Sequence, residues 1–170
     1  MKKYIADIIT SVRIAGAIAL LFIKPLTPAF FIVYTVCGIS DAIDGFVARR
    51  LGTVSTFGSK LDSIADLSFY AAMLYKLLPE VFRLLPLWVL IYAGAVILMR
   101  LMVYIVTAIL FKHFSSLHTW LNKITGAGVF LVPFAMMLPS PWFTYYALAV
   151  ITVGLAGTIY EIIVHIRTKQ

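Results

Sequence analysis

The sequence is most unusual at DAIDGFVARR, residues 41–50, and at GSKLDSIAD, residues 58–66. These two stretches hold four of the seven acidic residues of the chain. They lie in a sequence of 170 residues that is 62% hydrophobic and only 12% charged, whereas soluble domains carry about 25% charged residues. The composition therefore predicts an integral membrane protein, and four carboxylates inside such a protein require a physical reason.

The apolar runs of the chain predict its fold class. A helix of about 20 apolar residues can cross a bilayer, and six such runs are separated by charged or proline-containing breaks. We therefore predict an all-α membrane protein with six transmembrane helices in one domain, residues 1–170. The predicted spans are residues 5–23, 28–47, 60–78, 85–111, 121–138 and 142–165. The predicted breaks include a loop at 46–60, an interruption at 79–83 and another at 112–118.

The net charge of +7 has a simple interpretation in a membrane protein. With a cytoplasmic N-terminus, nine Lys and Arg residues lie in the predicted inside segments and three in the outside ones, which satisfies the positive-inside rule. No basic run is interleaved with aromatic residues in a polar segment, so we expect no nucleic-acid partner. We predict a multi-pass protein of a bacterial cytoplasmic membrane with both termini cytoplasmic. The first apolar run is expected to be retained, since Asp7 and Arg13 interrupt it.

The acidic residues form two pairs on consecutive predicted helices. Asp41 and Asp44 are spaced i, i+3, and Asp62 and Asp66 are spaced i, i+4, so each pair shares one helix face. Two antiparallel helices would bring the pairs to the same depth on the cytoplasmic side. Carboxylates in a membrane must be protonated, paired or coordinated to metal. Oxygen ligands without His or Cys suit Mg²⁺ or Mn²⁺, and two such ions would balance four charges.

Two alternatives follow from the same carboxylates. Arg49, Arg50 and Lys60 would neutralise some of them by salt bridges alone, or the chain would be a non-catalytic membrane cation carrier. Gly45 and Gly58 could let a bulky ligand approach the backbone beside the carboxylates. Arg49 could bind a phosphate through two hydrogen bonds. These neighbouring residues favour a site for a phosphate-bearing ligand. The carrier hypothesis gives no reason for the spacing of Gly45, Arg49 and Gly58.

The same residues resemble the signature of the CDP-alcohol phosphotransferases, also called phosphatidyltransferases. That signature is D-x2-D-G-x2-A-R-x8-G-x3-D-x3-D, and residues 41–66 match all eight fixed positions and every gap. Members of the family also resemble this chain in length and in having about six spans. The sequence is therefore identified as a class I member of this family, and the resemblance is expected to extend over the whole chain.

The resemblance implies roles for individual residues. Asp41, Asp44, Asp62 and Asp66 would hold two Mg²⁺ or Mn²⁺ ions, and Asp66 would also be the general base that takes the proton from the acceptor hydroxyl. The residues implied in CDP binding are Asp7, Thr10, Gly45, Ala48, Arg49, Ser55 and Gly58. Asp7-x2-Thr10-x2-Arg13 resembles the N-x2-T-x2-R motif of the first span in the family, with Asp7 in place of Asn. Ser55 occupies a place where many members carry a hydroxyl.

The implied reaction belongs to phospholipid biosynthesis. A phosphatidyl group would move from CDP-diacylglycerol to the hydroxyl of a small acceptor, with release of CMP. No Cys, His or Ser is suitably placed for a covalent intermediate, so direct displacement is predicted. The reaction would occur in a cytoplasmic-facing polar cavity between the helices while the diacyl tails stay in lipid. A homodimer is expected from the resemblance alone.

The acceptor site is predicted among basic residues of the later spans. Arg100, His118 and Lys123 are the candidates for acceptor binding, since an arginine inside a span usually faces a cavity or a partner. The alternatives are that Arg100 pairs structurally with Glu161 and that His118 and Lys123 lie on the surface. Phosphatidylglycerophosphate synthases often carry an Arg-Glu pair in the fourth span, where this chain has Arg100-Leu101. The sequence favours glycerol 3-phosphate, with serine, inositol phosphate or another alcohol as alternatives.

Overall fold

The computed structural model describes the backbone of residues 5–51, 56–111 and 120–167, and the side chains of residues 10–40, 61–107, 109 and 120–164. Within these ranges the chain forms six helices and no strand, which confirms the all-α class. The helices are α1 (Ile5–Phe22), α2 (Pro28–Leu51), α3 (Thr56–Leu84), α4 (Leu87–Phe111), α5 (Trp120–Ala135) and α6 (Ser140–Arg167). The chain divides into two compact units, Met1–Glu80 and Val81–Gln170.

The predicted loop at 46–60 is wrong for most of its length. α2 continues to Leu51 and α3 begins at Thr56, so only residues 52–55 separate the two helices. Charged residues end an apolar run, but Arg is a good helix former and need not end the helix. The polar residues of the signature are therefore carried on helical backbone.

The predicted break at 79–83 is also wrong. α3 continues through Pro79 to Leu84, although an interior proline removes one backbone hydrogen bond and crowds the preceding turn. The helix ends instead before Pro86, whose ring disfavours helical conformation at Leu85. The Val89 amide then donates to the Pro86 carbonyl at 3.0 Å as α4 begins. A proline in this chain therefore need not end a helix: Pro79 lies inside α3, whereas Pro86 lies between α3 and α4.

The turn between α1 and α2 is built by a threonine cap. The Thr27 hydroxyl donates to the Lys24 carbonyl at 2.8 Å and accepts a 3.4 Å hydrogen bond from the Phe30 amide. Pro28 is the first residue of α2, where its missing N–H costs nothing. Leu26 has a φ of 59°, in the left-handed region, and this tight turn lets α2 run back along α1.

α1 and α2 approach closely at Gly16. A Cβ atom on Gly16 would collide with the sulfur of Cys37, which is buried. The Cys37 thiol donates to the Arg13 carbonyl at 3.9 Å. This contact places the backbone of Arg13 against α2.

Aromatic rings join α2 to α3 within the first unit. Tyr34 stacks on Phe69 with ring centroids 5.5 Å apart, and it also stacks on Phe30 at 5.9 Å. All three residues are buried. Because only residues 52–55 lie between the two helices, they run in opposite directions from this contact.

In the second unit, α6 packs against α5 and α4. Gly154 and Gly157 of α6 lie against Thr125 and Asn122 of α5, since small residues let helices approach closely. The Tyr146 hydroxyl donates to the Gly128 carbonyl at 2.7 Å. The hydroxyls of Tyr92 and Thr152 lie 3.4 Å apart and connect α4 to α6.

Two segments of the described chain are long and apolar enough, by length and composition, to cross a membrane. They are Leu87–Thr107 and Ser140–Val164, and shorter apolar segments lie at Thr10–Phe22 and Pro28–Ser40. The α4 segment exposes many large apolar side chains, among them Leu87, Ile91, Leu98, Leu101, Met102 and Ile105. An exposed apolar face of this extent is typical of contact with lipid or a partner. The other predicted spans stay predictions.

Candidate active site

Asp62 and Asp66 lie one turn apart on α3, beside its buried stripe. Ala65, Phe69 and Ala72 are buried and recur at helical spacing. The two carboxylate side chains flank this stripe and are 47% and 41% exposed. They are thus anchored on a packed helix face while keeping an accessible edge.

Arg13 of α1 bridges these two carboxylates. Its Nη2 donates to Asp62 Oδ1 at 3.1 Å, and its Nη1 donates to Asp66 Oδ1. The Arg13 side chain is only 1% exposed. A planar guanidinium suits this geometry because its two terminal nitrogens can each bind a different carboxylate. Arg13 therefore compensates part of the negative charge and fixes one oxygen of each aspartate.

Sequence reasoning missed this role of Arg13. It assigned salt bridges to Arg49, Arg50 and Lys60, whose side chains lie outside the described residues. The available signal was the cost of burying an unpaired guanidinium, which requires an acidic partner or a ligand. Nothing in the spacing of the sequence says that this partner is the second aspartate pair.

The local packing of α1 holds Arg13 in place. Thr10, one turn earlier on α1, is buried. On the other side, the Cys37 thiol contacts the Arg13 carbonyl, and the Ser40 hydroxyl donates to the Cys37 carbonyl at 2.7 Å. The close approach at Gly16 thus holds the backbone of Arg13 against α2.

The first aspartate pair lies on helical backbone, with side chains outside the described residues. α2 is continuous to Leu51, so Asp41 and Asp44 share a face as the spacing predicts. The Tyr34–Phe69 stack gives the register of α2 on α3. Asp41 follows Tyr34 by seven residues, and Asp62 precedes Phe69 by seven residues. Because the helices are antiparallel, the backbones of Asp41 and Asp62 lie at similar heights along the helix axes, each about 10 Å from the aromatic stack.

The donor chemistry at Asp62 and Asp66 fits a divalent cation. Asp62 Oδ1 accepts from Arg13, whereas its Oδ2 makes no hydrogen bond within the described chain. Accessible carboxylate oxygens without His or Cys are the ligands that Mg²⁺ and Mn²⁺ prefer. No group of three or more His, Cys, Asp or Glu side chains that could hold a metal occurs among the described side chains, which exclude those of Asp41 and Asp44.

Most residues predicted to bind CDP cannot be given a side-chain position. Thr10 is buried on α1, one turn from Arg13. Ser55 lies outside the described residues. The remaining five lie on described helical backbone with side chains outside the described set, namely Asp7, Gly45, Ala48, Arg49 and Gly58.

A second polar cluster joins α4, α5 and α6. Arg100 Nε donates to the Tyr104 hydroxyl at 2.9 Å, and its Nη2 donates to Asn122 Oδ1 at 2.8 Å. Asn122 Nδ2 in turn donates to Glu161 Oε1 at 2.5 Å. Glu161 is 1% exposed. The predicted alternative of direct Arg100–Glu161 pairing is thus replaced by a link through Asn122.

Asn122 and Tyr104 are members of this cluster that sequence reasoning missed. Tyr104 follows Arg100 by four residues and therefore shares its helix face. An asparagine beside the start of an apolar run was the only signal for Asn122.

Of the other two predicted acceptor residues, only Lys123 has a described side chain, and it contacts Trp120 rather than the Arg100 cluster. Lys123 is exposed, and its Nζ lies 5.4 Å from the centroid of the Trp120 ring. A lysine over an indole ring is a typical surface or interfacial arrangement. His118 lies outside the described residues, together with the rest of the predicted break at 112–118.

These features define an all-helical protein of membrane character with an aspartate site held by a buried arginine. Residues 3–160 match the family model for CDP-alcohol phosphatidyltransferase. This match spans most of the chain, and the chain belongs to the CDP-alcohol phosphatidyltransferase family. The family assignment made from residues 41–66 is therefore confirmed.

The chain is similar to curated proteins whose names give different acceptors. The chain is 26% identical over 158 residues to the CDP-diacylglycerol–glycerol-3-phosphate 3-phosphatidyltransferases of Shigella flexneri serotype 5b and Escherichia coli strain K12, covering 89% of this chain and 85% of each relative. It is 43% identical over 75 residues to the CDP-diacylglycerol–serine O-phosphatidyltransferase of Methanocaldococcus jannaschii. That alignment covers 43% of this chain and 34% of the relative, about a third of its length. No solved structure matches the chain significantly.

Proposed function

We propose that the chain transfers a phosphatidyl group from CDP-diacylglycerol to the hydroxyl of a small acceptor, releasing CMP. The observation that carries this proposal is the Asp62–Asp66 pair, gripped by buried Arg13 at the last two fixed positions of the family signature. A carboxylate pair that is held on one side and accessible on the other suits an active site better than a purely structural ion pair.

Glycerol 3-phosphate is the acceptor that we favour. Support comes from the relatives aligned over 85% of their length, which are named for that acceptor. The relative named for serine is more similar but aligns over only 34% of its length. Serine, inositol phosphate or another alcohol would use the same chemistry and are the alternatives.

The proposed catalytic roles follow from the aspartates. Asp41, Asp44, Asp62 and Asp66 would hold two Mg²⁺ or Mn²⁺ ions, which when bound would polarise the phosphate and stabilise the leaving CMP. Asp66 takes the proton from the acceptor hydroxyl. Arg13 orients Asp62 and Asp66 by holding one oxygen of each. The CDP pocket is formed by Asp7, Thr10 and the residues at 45–58 named above. The acceptor is recognised by Arg100, His118 and Lys123.

The proposed setting is a single domain, residues 1–170, in a bacterial cytoplasmic membrane. Six spans, cytoplasmic termini and a cytoplasmic-facing polar cavity are proposed, supported by the six helices and by the distribution of Lys and Arg. The diacyl tails of the donor would remain in lipid. A homodimer is proposed by analogy with the family.

The test is CMP release by the purified protein. The full chain in detergent, with Mg²⁺ or Mn²⁺ and CDP-diacylglycerol, is offered glycerol 3-phosphate, serine, inositol phosphate and other alcohols in turn. CMP release with one of them supports the proposal, and no release with any acceptor refutes it. Metal-driven uptake into proteoliposomes without CMP release would favour the cation carrier instead.

A further inference from the structure

Arg13, Asp62 and Asp66 form a group of charges in which one cation faces two anions. All three residues lie within the first compact unit, Met1–Glu80. One positive and two negative charges leave a net charge of −1 on these three side chains. The guanidinium is 1% exposed, whereas the two carboxylates are 47% and 41% exposed. The protein therefore compensates the carboxylates from the buried side of the pair.

The guanidinium lies between the two carboxylates. Its Nη1 and Nη2 are bonded to the same carbon, and they donate to Oδ1 of Asp66 and Oδ1 of Asp62, respectively. A divalent cation that bound both carboxylates would need oxygen atoms of the same pair, and it would meet the like charge of the guanidinium. The arginine and such an ion therefore compete for the same two carboxylates.

The packing of Arg13 makes its charge a permanent feature of the site. The Cys37 thiol donates to the Arg13 carbonyl, and the close contact at Gly16 leaves α1 no room to move away from α2 at this level. Two carboxylates one turn apart on a helix repel each other and destabilise it when no cation is present. Arg13 supplies that cation from the protein itself before any ion enters.

We infer that Arg13 is a resident counter-cation of the aspartate pair: it stabilises the site while no divalent ion is bound, and it lowers the affinity of the pair for such an ion. This inference rests on the proposed function in taking Asp62 and Asp66 as ligands of the ion. The protein thereby stays folded without ions and binds them weakly enough to release them.

The decisive measurement is the Kd for Mn²⁺ of the full chain in detergent, obtained from the electron paramagnetic resonance signal of free Mn²⁺. Arg13→Gln removes the competing charge, so we expect the Kd to fall by about tenfold or more. Arg13→Lys keeps the charge, and its Kd should stay within about threefold of the wild-type value. Lys76→Gln is the matched control, because it removes one positive charge from the same helix at a position about 15 Å beyond Asp66. Its Kd should equal that of the wild type.

Thermal unfolding gives a second measurement of the same competition. In EDTA, Arg13→Gln should unfold at a lower temperature than the wild type. Saturating Mn²⁺ should raise the Tm of the variant more than that of the wild type, since tighter binding gives the larger stabilisation. If Arg13→Gln folds only when Mn²⁺ is present, the ion replaces the arginine as the inference requires. Failure to fold with Mn²⁺ as well would overturn the inference.

The order of the Mn²⁺ affinities separates competition from simple orientation of the carboxylates. If Arg13→Gln binds Mn²⁺ no more tightly than the wild type, Arg13 only orients the carboxylates and the inference is overturned. It is also overturned if Arg13→Lys binds as tightly as Arg13→Gln, or if none of the proteins binds Mn²⁺. CMP release by the wild type is assayed separately. Its absence with every acceptor refutes the proposed function, whatever the order of the affinities.

Discussion

Arg13 of α1 and Arg100 of α4 solve the same electrostatic problem in opposite ways. Arg13 is fully buried and pairs with two aspartates, so protein carboxylates neutralise its charge. Arg100 is half-buried, and among the described side chains it binds two neutral oxygens, which orient the guanidinium without neutralising its charge. A carboxylate partner neutralises the charge of an arginine, whereas a neutral oxygen only orients the guanidinium. The partner therefore distinguishes an arginine that positions protein side chains from one that can bind an anionic ligand.

Loss of the base should have the largest effect. Asp66→Asn keeps one oxygen for Arg13 but cannot take a proton at the catalytic pH. We expect CMP release to fall by about 10³-fold, within the range typical of general bases, while binding of CDP and Mn²⁺ is largely preserved. CMP release and Mn²⁺ titration of the purified variant measure both. Turnover near the wild-type rate would contradict the role of Asp66 as base.

Removal of the buried cation should come next. Arg13→Gln leaves Asp62 and Asp66 without their common partner, and we expect a loss of about 2 to 3 kcal/mol in the free energy of unfolding, below the range for fully buried pairs because both carboxylates are half exposed. Thermal unfolding in detergent measures the loss.

Arg13→Lys is the matched control. Lysine keeps the charge but binds as a point rather than as a fork, so it should recover part of the stability and less of the activity. Equal stability of the glutamine variant and the wild type would show that the bridge contributes nothing.

The packing behind Arg13 offers a smaller and cleaner perturbation. Gly16→Ala puts a methyl group against the Cys37 sulfur, and we expect a cost of about 1 to 3 kcal/mol from overpacking. Cys37→Ala in the same chain removes the obstacle, so the double variant should regain most of the lost stability. Additive losses in the double variant would show that the two residues do not compete for one space.

The sequence predicts the helices better than it predicts their ends. Six apolar runs anticipate six helices, because helical backbone is required wherever an apolar run crosses lipid. The loop predicted at 46–60 failed because Arg49 and Arg50 end an apolar run without ending α2. The break predicted at Pro79 failed because a proline interrupts hydrogen bonding without reversing the chain. The hydropathy of a segment predicts whether it lies in lipid or in water, whereas the ends of a helix depend on backbone geometry.

The site divides along the same line. Spacing along one helix predicted that Asp62 and Asp66 share a face, and the structure has them on α3, bound by one guanidinium. Contacts between helices were beyond that logic, because they depend on how the helices pack. Arg13 meets α3 from a helix that packs closely on α2 at Gly16, and Asn122 meets Glu161 where Gly157 leaves room for the amide. Periodicity reveals a residue's face but not its partner.

The smallest effects should come from adding a methyl group near Arg100. Gly157→Ala places a Cβ atom 3.1 Å from Asn122 Oδ1, so the amide that aims Arg100 must shift by a few tenths of an ångström. We expect the KM for glycerol 3-phosphate to rise by about threefold, which is well below the factor of ten that corresponds to about 1.4 kcal/mol of binding energy. The free energy of unfolding should change little. Gly94→Ala on α4 is the control, because a Cβ atom there would meet no described atom within 4 Å and alanine favours helix by up to about 1 kcal/mol. That variant should be as stable as the wild type or slightly more stable, with an unchanged KM. If both variants raise the KM equally, helix packing rather than the Asn122 amide controls the acceptor, and the contrast between the two arginines loses its functional meaning.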